Sequence, residues 1–371
     1  MAELERALHM RIVYIIASPT WGGGEQYVFD LARHMQAGHG VQPFFLFPPH
    51  SSEAMIARFE QIGECRVFPY ASKLWRFMPL AGKRLAQLMD EWQADILHIN
   101  SRQTYFTAVT AKRYTRRPFR LIATQHLVRA AKNSPLWRWI YRRIDTLECV
   151  SECVHRVYLA PFGDEKVFPD VRVIRNSAPI TPQEAIHSKP DTIPVILYHG
   201  RICREKGIEP LFDALAQIAD LPFRIIFSGN IGEKDRGLWN RLTAHTPVRE
   251  KIEYIGFTPD MHSLLSRCHI GVSPSIVREA GPLAMIEHMA YGLAVVTSNN
   301  GSQPELIHDG ENGLLCPPND AQALAAALRR VLTDNELRNR LGKQAQHDFF
   351  EHHTYDQFVQ EMFNIYSENH L

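Results

Sequence analysis

No apolar run in the 371-residue chain approaches the length of a membrane-spanning helix. Its six cysteines, at 65, 149, 153, 203, 268 and 316, form no C-x-x-C and no zinc spacing, so reduced thiols in a cytoplasm are expected. The opening MAELERALHM is acidic and short of an apolar segment, which gives no sign of a secretory leader. Repeats and low-complexity segments are absent. So are G-x-G-x-x-G and G-K-[ST], which argues against a nicotinamide site or a Walker loop. No RNA- or DNA-binding motif occurs, and no nucleic-acid partner is expected.

What is present is the composition of a globular protein, with 45% hydrophobic and 22% charged residues. The length favours two domains. Net charge is only +1, yet residues 1–190 hold 25 Lys and Arg against 17 Asp and Glu, a net of +8, and residues 191–371 a net of −7. A basic half suits an anionic partner. Short β-rich runs alternate with helical patterns: strands are expected at 11–18, 41–47, 95–100, 121–126, 146–151 and 171–174, with a helix over 25–35. After the proline-rich stretch 176–194, read as a linker, strands resume at 195–200, 223–229, 251–256, 269–275 and 293–298. Two such series imply two doubly wound parallel-sheet domains, whose ligands bind beyond the carboxyl ends of the strands.

Four turns at such ends could hold chemistry. PTWGGGEQY (19–27) places Gly22, Gly23 and Gly24 before a helix, where backbone can approach an anion closely; a ligand-free tight turn explains it equally well. HGRICREKG (199–207) puts Arg201 and Lys206 beside a strand end, suited to a diphosphate or simply solvated. In SIVREAGPLAMIEHMAYGLAVVT (275–297), Pro282 and Gly292 bound a helix over 282–291. Glu279 precedes it, and Glu287 shares the inward stripe of Leu283. No cation stands one turn away, so a ligand with adjacent hydroxyls is the favoured partner for Glu287, a group elsewhere in the fold being the alternative. His126 ends a strand, a weak signal by itself.

At these residues the chain resembles the retaining glycosyltransferases of family 4, which have the two-domain GT-B fold. The resemblance is strongest from about 195 to 335, through YHGRICREKG, the stretch from EYIGF to VSPS, and REAGPLAMIEHMAYGLAVVTSNNGSQPELIHDGENGLLCPP, with Glu279 and Glu287 as its E-x7-E motif. In the first half it rests on the glycine-rich turn, DILHINS, TQH, CVSECV and VIRNS. It implies two Rossmann-like domains facing a cleft: residues 1–178, completed by a C-terminal helix within 350–371 whose start shows in Thr354 and Gln357, and residues 179–349. It also implies that Arg201 and Lys206 bind the donor's diphosphate, Glu287 the ribose, and Glu279 the transferred sugar, with the backbone of Gly281, Pro282 and Leu283 nearby. Gly22 to Gly24 would approach phosphates and acceptor, His126 the reacting sugar, and Phe257 the base. Ala280-Gly281-Pro282 replaces the usual Phe-Gly pair, and proline cannot offer an N–H there.

The expected activity is transfer of a hexose from a nucleotide-diphosphate sugar, a UDP-sugar, to an anionic glycan or glycolipid in lipopolysaccharide or another envelope polysaccharide. The donor is a co-substrate and no cofactor is expected. The two cations would do what a metal does elsewhere, and with no Asp-x-Asp at a strand end no essential metal is expected. A cytoplasmic site of action follows, with peripheral contact at the inner membrane face, where SKLWRFMPLAGKRL (72–85) offers Trp75 and Phe77 among Lys and Arg; an ordinary amphipathic helix explains that segment too. The acceptor is expected to meet the basic first domain, much of whose charge falls from 112 to 143, in Lys112, Arg113, Arg116 and Arg117 and in Arg120, Arg129, Lys132 and Arg138. The rivals are a same-fold sugar phosphorylase or nucleotide-sugar epimerase, and a non-catalytic nucleotide-binding protein.

Overall fold

The computed structural model describes residues 10–16, 18–69, 79–182, 193–258 and 260–368. Trp75, Phe77 and most of the expected linker, 183–192, lie outside them. The chain divides into two compact units, Met1–Arg175 with Asp356–Leu371, and Asn176–Tyr355.

The first unit carries a parallel sheet of β1 (Arg11–Ile15), β2 (Gln42–Phe47), β3 (Glu64–Val67), β4 (Ile96–Ile99), β5 (Arg120–Gln125), β6 (Thr146–Cys149) and β7 (Asp170–Val173), in the order β3-β2-β1-β4-β5-β6-β7. The second carries β8 (Val195–His199), β9 (Arg224–Ser228), β10 (Ile252–Gly256), β11 (Ile270–Ser273), β12 (Ala294–Ser298) and β13 (Gly313–Cys316), in the order β10-β9-β8-β11-β12-β13, again all parallel. Covered on both faces, the central strands are largely apolar: Ile12, Val13, Tyr14 and Ile15 are buried, as are Ile225, Ile226 and Phe227, although β4, β5 and β6 also bury His98, Thr124 and Glu148. One face of the second sheet packs on Leu211, Phe212 and Leu328, the other on Met285, Met289 and Phe349.

The sequence pattern misses two strands, β3 and β13. Both are four-residue edge strands. Glu64–Val67 has no buried residue to impose an apolar alternation, and Gly313–Cys316 opens on glycine. The first helix runs Gly23–His39, longer than the expected 25–35. Gly22 is extended before it, and Gly40, left-handed at φ 65°, ends it by donating its N–H to the Met35 carbonyl. The last helix, Tyr355–Ser367, follows Thr354; its Tyr366 hydroxyl lies 2.7 Å from His98 Nδ1 in the first unit.

In each sheet the order reverses once, between β1 and β4 and between β8 and β11. Crossover helices leave for opposite faces there, so the carboxyl ends of the two strands stay uncovered. After β8 the chain makes a 3₁₀ turn, Arg204–Lys206, before the helix Ile208–Gln217, instead of one helix from Glu205. The joint is Gly207, left-handed at φ 76°. A Cβ there would stand 1.8 Å from the Pro274 carbonyl oxygen.

Gly207→Ala is therefore expected to cost more than about 3 kcal/mol, through clash and left-handed strain together. Gly237→Ala, at an exposed helical position with nothing within 4 Å, should add roughly 1 kcal/mol. Urea unfolding of both variants checks the pair; equal effects would mean that the Gly207 turn can shift.

Candidate active site

The second unit's reversal point gathers the charged residues singled out from sequence. Lys206, in the turn after β8, places Nζ 2.6 Å from Oε1 of Glu279, in the loop after β11. Glu279 is 12% exposed and also accepts from the Ser275 hydroxyl, so its charge is met by two protein donors. The loop is held in register: the N–H groups of Ile276 and Val277 donate to the Glu205 carbonyl, and Ser302 N–H donates to that of Glu279. Arg201 is exposed, and its guanidinium has no hydrogen bond or ion pair among the described residues. Its backbone is fixed, because the buried Tyr198 hydroxyl donates to its carbonyl at 2.8 Å.

Glu287 differs from expectation. Its helix is Leu283–Ala290, and the buried stripe is Met285, Ile286, His288, Met289 and Ala290. Glu287 lies at the margin of that stripe, 25% exposed, and has a partner in the fold: Oε2 is 2.5 Å from His199 Nε2. Local spacing hides this pair, because His199 lies 88 positions away at the end of β8. His199 Nδ1 is 3.0 Å from Nε2 of the fully buried His288. A carboxylate only accepts, so His199 Nε2–H donates to Glu287, and a single proton is shared between His199 Nδ1 and His288 Nε2. Burial holds His288 far below the ordinary imidazole pKa, so it stays a neutral prop.

Pro282 is the N-cap of this helix and not its first residue. Its carbonyl accepts from Met285 and Ile286, which leaves the N–H groups of Leu283 and Ala284 outside the helical ladder. Gly281 is required by close approach. Its carbonyl accepts from Asn176 Nδ2 at 3.1 Å, and a Cβ would stand 2.5 Å from that nitrogen. Asn176 belongs to the VIRNS stretch. Phe257 follows β10 at the sheet edge, where its ring is 58% exposed. Among the described residues, no group of three or more His, Cys, Asp and Glu is placed to hold a metal ion.

In the first unit, Gly22 to Gly24 open the first helix at the carboxyl end of β1. Above Gly23 and Gly24 a Cβ would meet nothing within 4 Å, so the fold itself does not demand glycine at either position. Buried Glu25 accepts from Ser18 N–H at 3.1 Å and steadies the turn. His126 ends β5 with Nε2 2.9 Å from Asn100 Oδ1, its ring edge-on to Tyr27 at 4.8 Å. Behind it lies a buried polar chain that sequence reasoning missed. The Tyr27 hydroxyl is 2.9 Å from both oxygens of Glu148, which also accepts from Thr124; Thr124 lies 2.6 Å from His98, and His98 meets Tyr366. The apolar runs LHI and LEC around His98 and Glu148 read as core, and only the pairing of β4, β5 and β6 stacks their polar members side by side.

The basic segment departs most from expectation. Lys112 pairs with Asp145, and Arg117 with Asp95 at 2.5 Å. Arg116 offers its backbone N–H to Asp90, and Arg120 donates to carbonyls of the last helix. Asp95 and Asp145 directly precede β4 and β6, so this cluster occupies the amino edge of the sheet, away from the strand ends where ligands bind. Arg138 and Arg142 share Glu165. Of the cations at 112–117 that sequence suggested for the acceptor, Lys112 and Arg117 are thus paired with acids, while the exposed Arg113 and Arg116 side chains have no carboxylate partner among the described residues.

Two family profiles match. Residues 21–180 fit Glycosyltransferase Family 4 and residues 180–348 fit Glycosyl transferases group 1. The chain belongs to the family-4 (group 1) glycosyltransferases and is a glycosyltransferase with a GT-B fold. A glycogen synthase of Mycobacterium tuberculosis is 26% identical over 284 residues, covering 72% of this chain and 67% of its own. The phosphatidyl-myo-inositol mannosyltransferase of Mycobacterium leprae is 26% identical over 330 residues, 86% of each chain. The structure of Anabaena HepE in complex with UDP and glucose superposes with a TM-score of 0.78 at 20% identity, covering 97% of this chain and 100% of its own.

Burial sets the protonation of the chain behind His126. It pushes Glu148 up to about 7 against the hydrogen bonds from Thr124 and Tyr27, and holds His126 down at about 4 and His98 at about 3. Between its ordinary value of 4.5 and about 7, folded Glu148 keeps a proton that the unfolded chain has lost, so this stabilisation fades as pH rises through that window. The histidines act oppositely, losing stability as pH falls below 6.5. Glu148→Gln should match the wild type at pH 5 and exceed it at pH 8 by up to roughly 3 kcal/mol. Urea unfolding at the two pH values measures this; a difference independent of pH would show that burial does not raise the group.

Proposed function

We propose that the protein is a retaining, metal-independent glycosyltransferase that moves a hexose from a UDP-sugar to an anionic glycan or glycolipid of the cell envelope. The observation that carries the reading is the Lys206–Glu279 contact beside the unpaired Arg201 at the second unit's reversal point. Arg201 offers a fork to one phosphate and Lys206 a point charge to the next, and the N–H groups of Leu283 and Ala284, outside the helical ladder, add donors at the helix start. As the anomeric C–O bond breaks, negative charge grows on the diphosphate and these donors bind it more strongly. The acceptor hydroxyl forms the new C–O bond, and its proton leaves with the nucleotide. Glu287 accepts from the ribose hydroxyls through the oxygen capacity that His199 leaves unused, and Glu279 accepts from a sugar hydroxyl. Exposed Phe257 stacks the base, and His126 offers polar contact to the sugar. HepE, solved with UDP and glucose, and the phosphatidyl-myo-inositol mannosyltransferase support the choice of donor and of a phosphate-bearing lipid acceptor. Among the described residues no helix is long and apolar enough to cross a membrane, and peripheral contact at the inner face remains the proposed mode of access.

Arg201→Ala and Lys206→Ala should each lower kcat/KM at least 100-fold, mostly in kcat, since they act on charge formed in the transition state. Glu287→Ala should raise the Kd for UDP about 10- to 100-fold, the worth of one or two hydrogen bonds to a charged group. UDP release, UDP thermal shifts and NMR of the product anomer read these out. Inverted product, activity lost to EDTA and restored by magnesium, or full activity in both cation variants would each remove a part of the reading.

A further inference from the structure

The first unit has a second set of cations, at the other edge of its sheet from the neutralised cluster. Arg102 follows β4 by three residues, and Arg129 follows His126 by three at the end of β5. Lys132 is in the same loop. The Arg102 guanidinium carbon lies 5.7 Å from the Trp137 ring centroid and Lys132 Nζ lies 5.1 Å from it, so two cations share one aromatic ring. None of the three has a carboxylate partner among the described residues, whereas Lys112, Arg117, Arg138 and Arg142 all have one. Arg129 is half-buried within electrostatic reach of Tyr105, Tyr141 and Tyr158, and burial together with the like charge of Arg102 lowers its pKa. Folding has brought like charges together and supplied no acid.

Two unpartnered polar groups mark the same place. Arg129 Nε is buried without a hydrogen-bond partner. Asn100, 9% exposed, spends its Oδ1 on His126 and leaves Nδ2 unpartnered. Buried donors without acceptors are uncommon in native proteins, and those beside unpaired cations favour an anion bearing several acceptor oxygens.

We propose that Arg102, Arg129 and Lys132 form a binding subsite for a phosphate monoester, with Trp137 packing against the group that carries the phosphate. The use of this subsite to orient an acceptor beside His126 rests on the glycosyltransferase reading above; the binding itself does not. A phosphate has three terminal oxygens, enough for two guanidinium forks and one ammonium. Exposed Leu127 and Leu136, in the same loop and helix, suit a phosphate delivered on a lipid as well as one on a soluble sugar.

The test uses the full chain with UDP at saturation, so that phosphate does not report on Arg201 and Lys206. Tryptophan fluorescence is titrated with glycerol 3-phosphate, and with glycerol plus sodium chloride at matched ionic strength. Saturable binding of glycerol 3-phosphate alone is expected. Its Kd should rise at least tenfold in the Arg102→Ser/Arg129→Ser double variant and several-fold in Lys132→Ser, whose exposed side chain makes misfolding no explanation. The charge-matched control, Arg113→Ser/Arg116→Ser at the amino edge, should bind as the wild type does. No saturable response, or equal loss in the two double variants, would overturn the subsite. Vesicles of phosphatidic acid in phosphatidylcholine separate the sources: sedimentation with these vesicles that the Lys132→Ser change reduces supports a lipid-borne phosphate, and binding of glycerol 3-phosphate alone supports a soluble one. The UDP thermal shift is recorded for every variant. Its absence from the wild type with phosphate binding intact would overturn the donor reading and leave the subsite standing.

Discussion

Lys206 and Glu279 meet across the point where the second sheet reverses its strand order, and the geometry of the proposed donor site follows from that contact. The partners are 73 positions apart, on turns after β8 and β11. Their distance is set by backbone. Gly207 turns left-handed against the Pro274 carbonyl, and the 275–277 loop hangs from Glu205. A nearly buried carboxylate would be costly without a cation, and an ammonium with three donors can hold Glu279 and still reach an anionic ligand. The site is thus stable when empty and retains capacity when filled.

Glu287 repeats the arrangement with a different donor. Its contact with His199 orients the carboxylate, and neutral, buried His288 orients His199. Such layered support fixes a side chain more tightly than one contact can, because each ring is limited to one tautomer.

The two edges of the first sheet are treated differently. At the amino edge, acids placed just before β4 and β6 pair with Lys112 and Arg117 of the basic segment. At the carboxyl edge, Arg102, Arg129 and Lys132 have no such acids. The network of Tyr27, Glu148, Thr124, His98 and Tyr366 connects that edge to the last helix through the interior, so the segment that returns from the second unit is anchored by polar contacts as well as apolar burial.

Sequence by itself determined the class of fold and the members of the proposed donor site. Parallel strands covered on both faces must be apolar throughout, and turns bearing Gly, Pro, Arg, Lys and Glu interrupt them at regular intervals, so eleven strands and the placement of Arg201, Lys206, Glu279 and Glu287 at carboxyl ends were legible. The short edge strands β3 and β13 were not: Glu64–Val67 buries no residue, and Gly313–Cys316 is four residues opening on glycine. Pairing was decided only in three dimensions. Glu287 reads as a carboxylate without a partner because helical spacing shows neighbours at three and four residues, whereas His199 reaches it through the fold. The basic run at 112–120 reads as an acceptor surface because local charge does not reveal that Asp95 and Asp145 lie beside it. Hydrophobic periodicity is a local property and survives in a one-dimensional string; electrostatic compensation acts through space, and only the folded chain shows which charges are left unpaired.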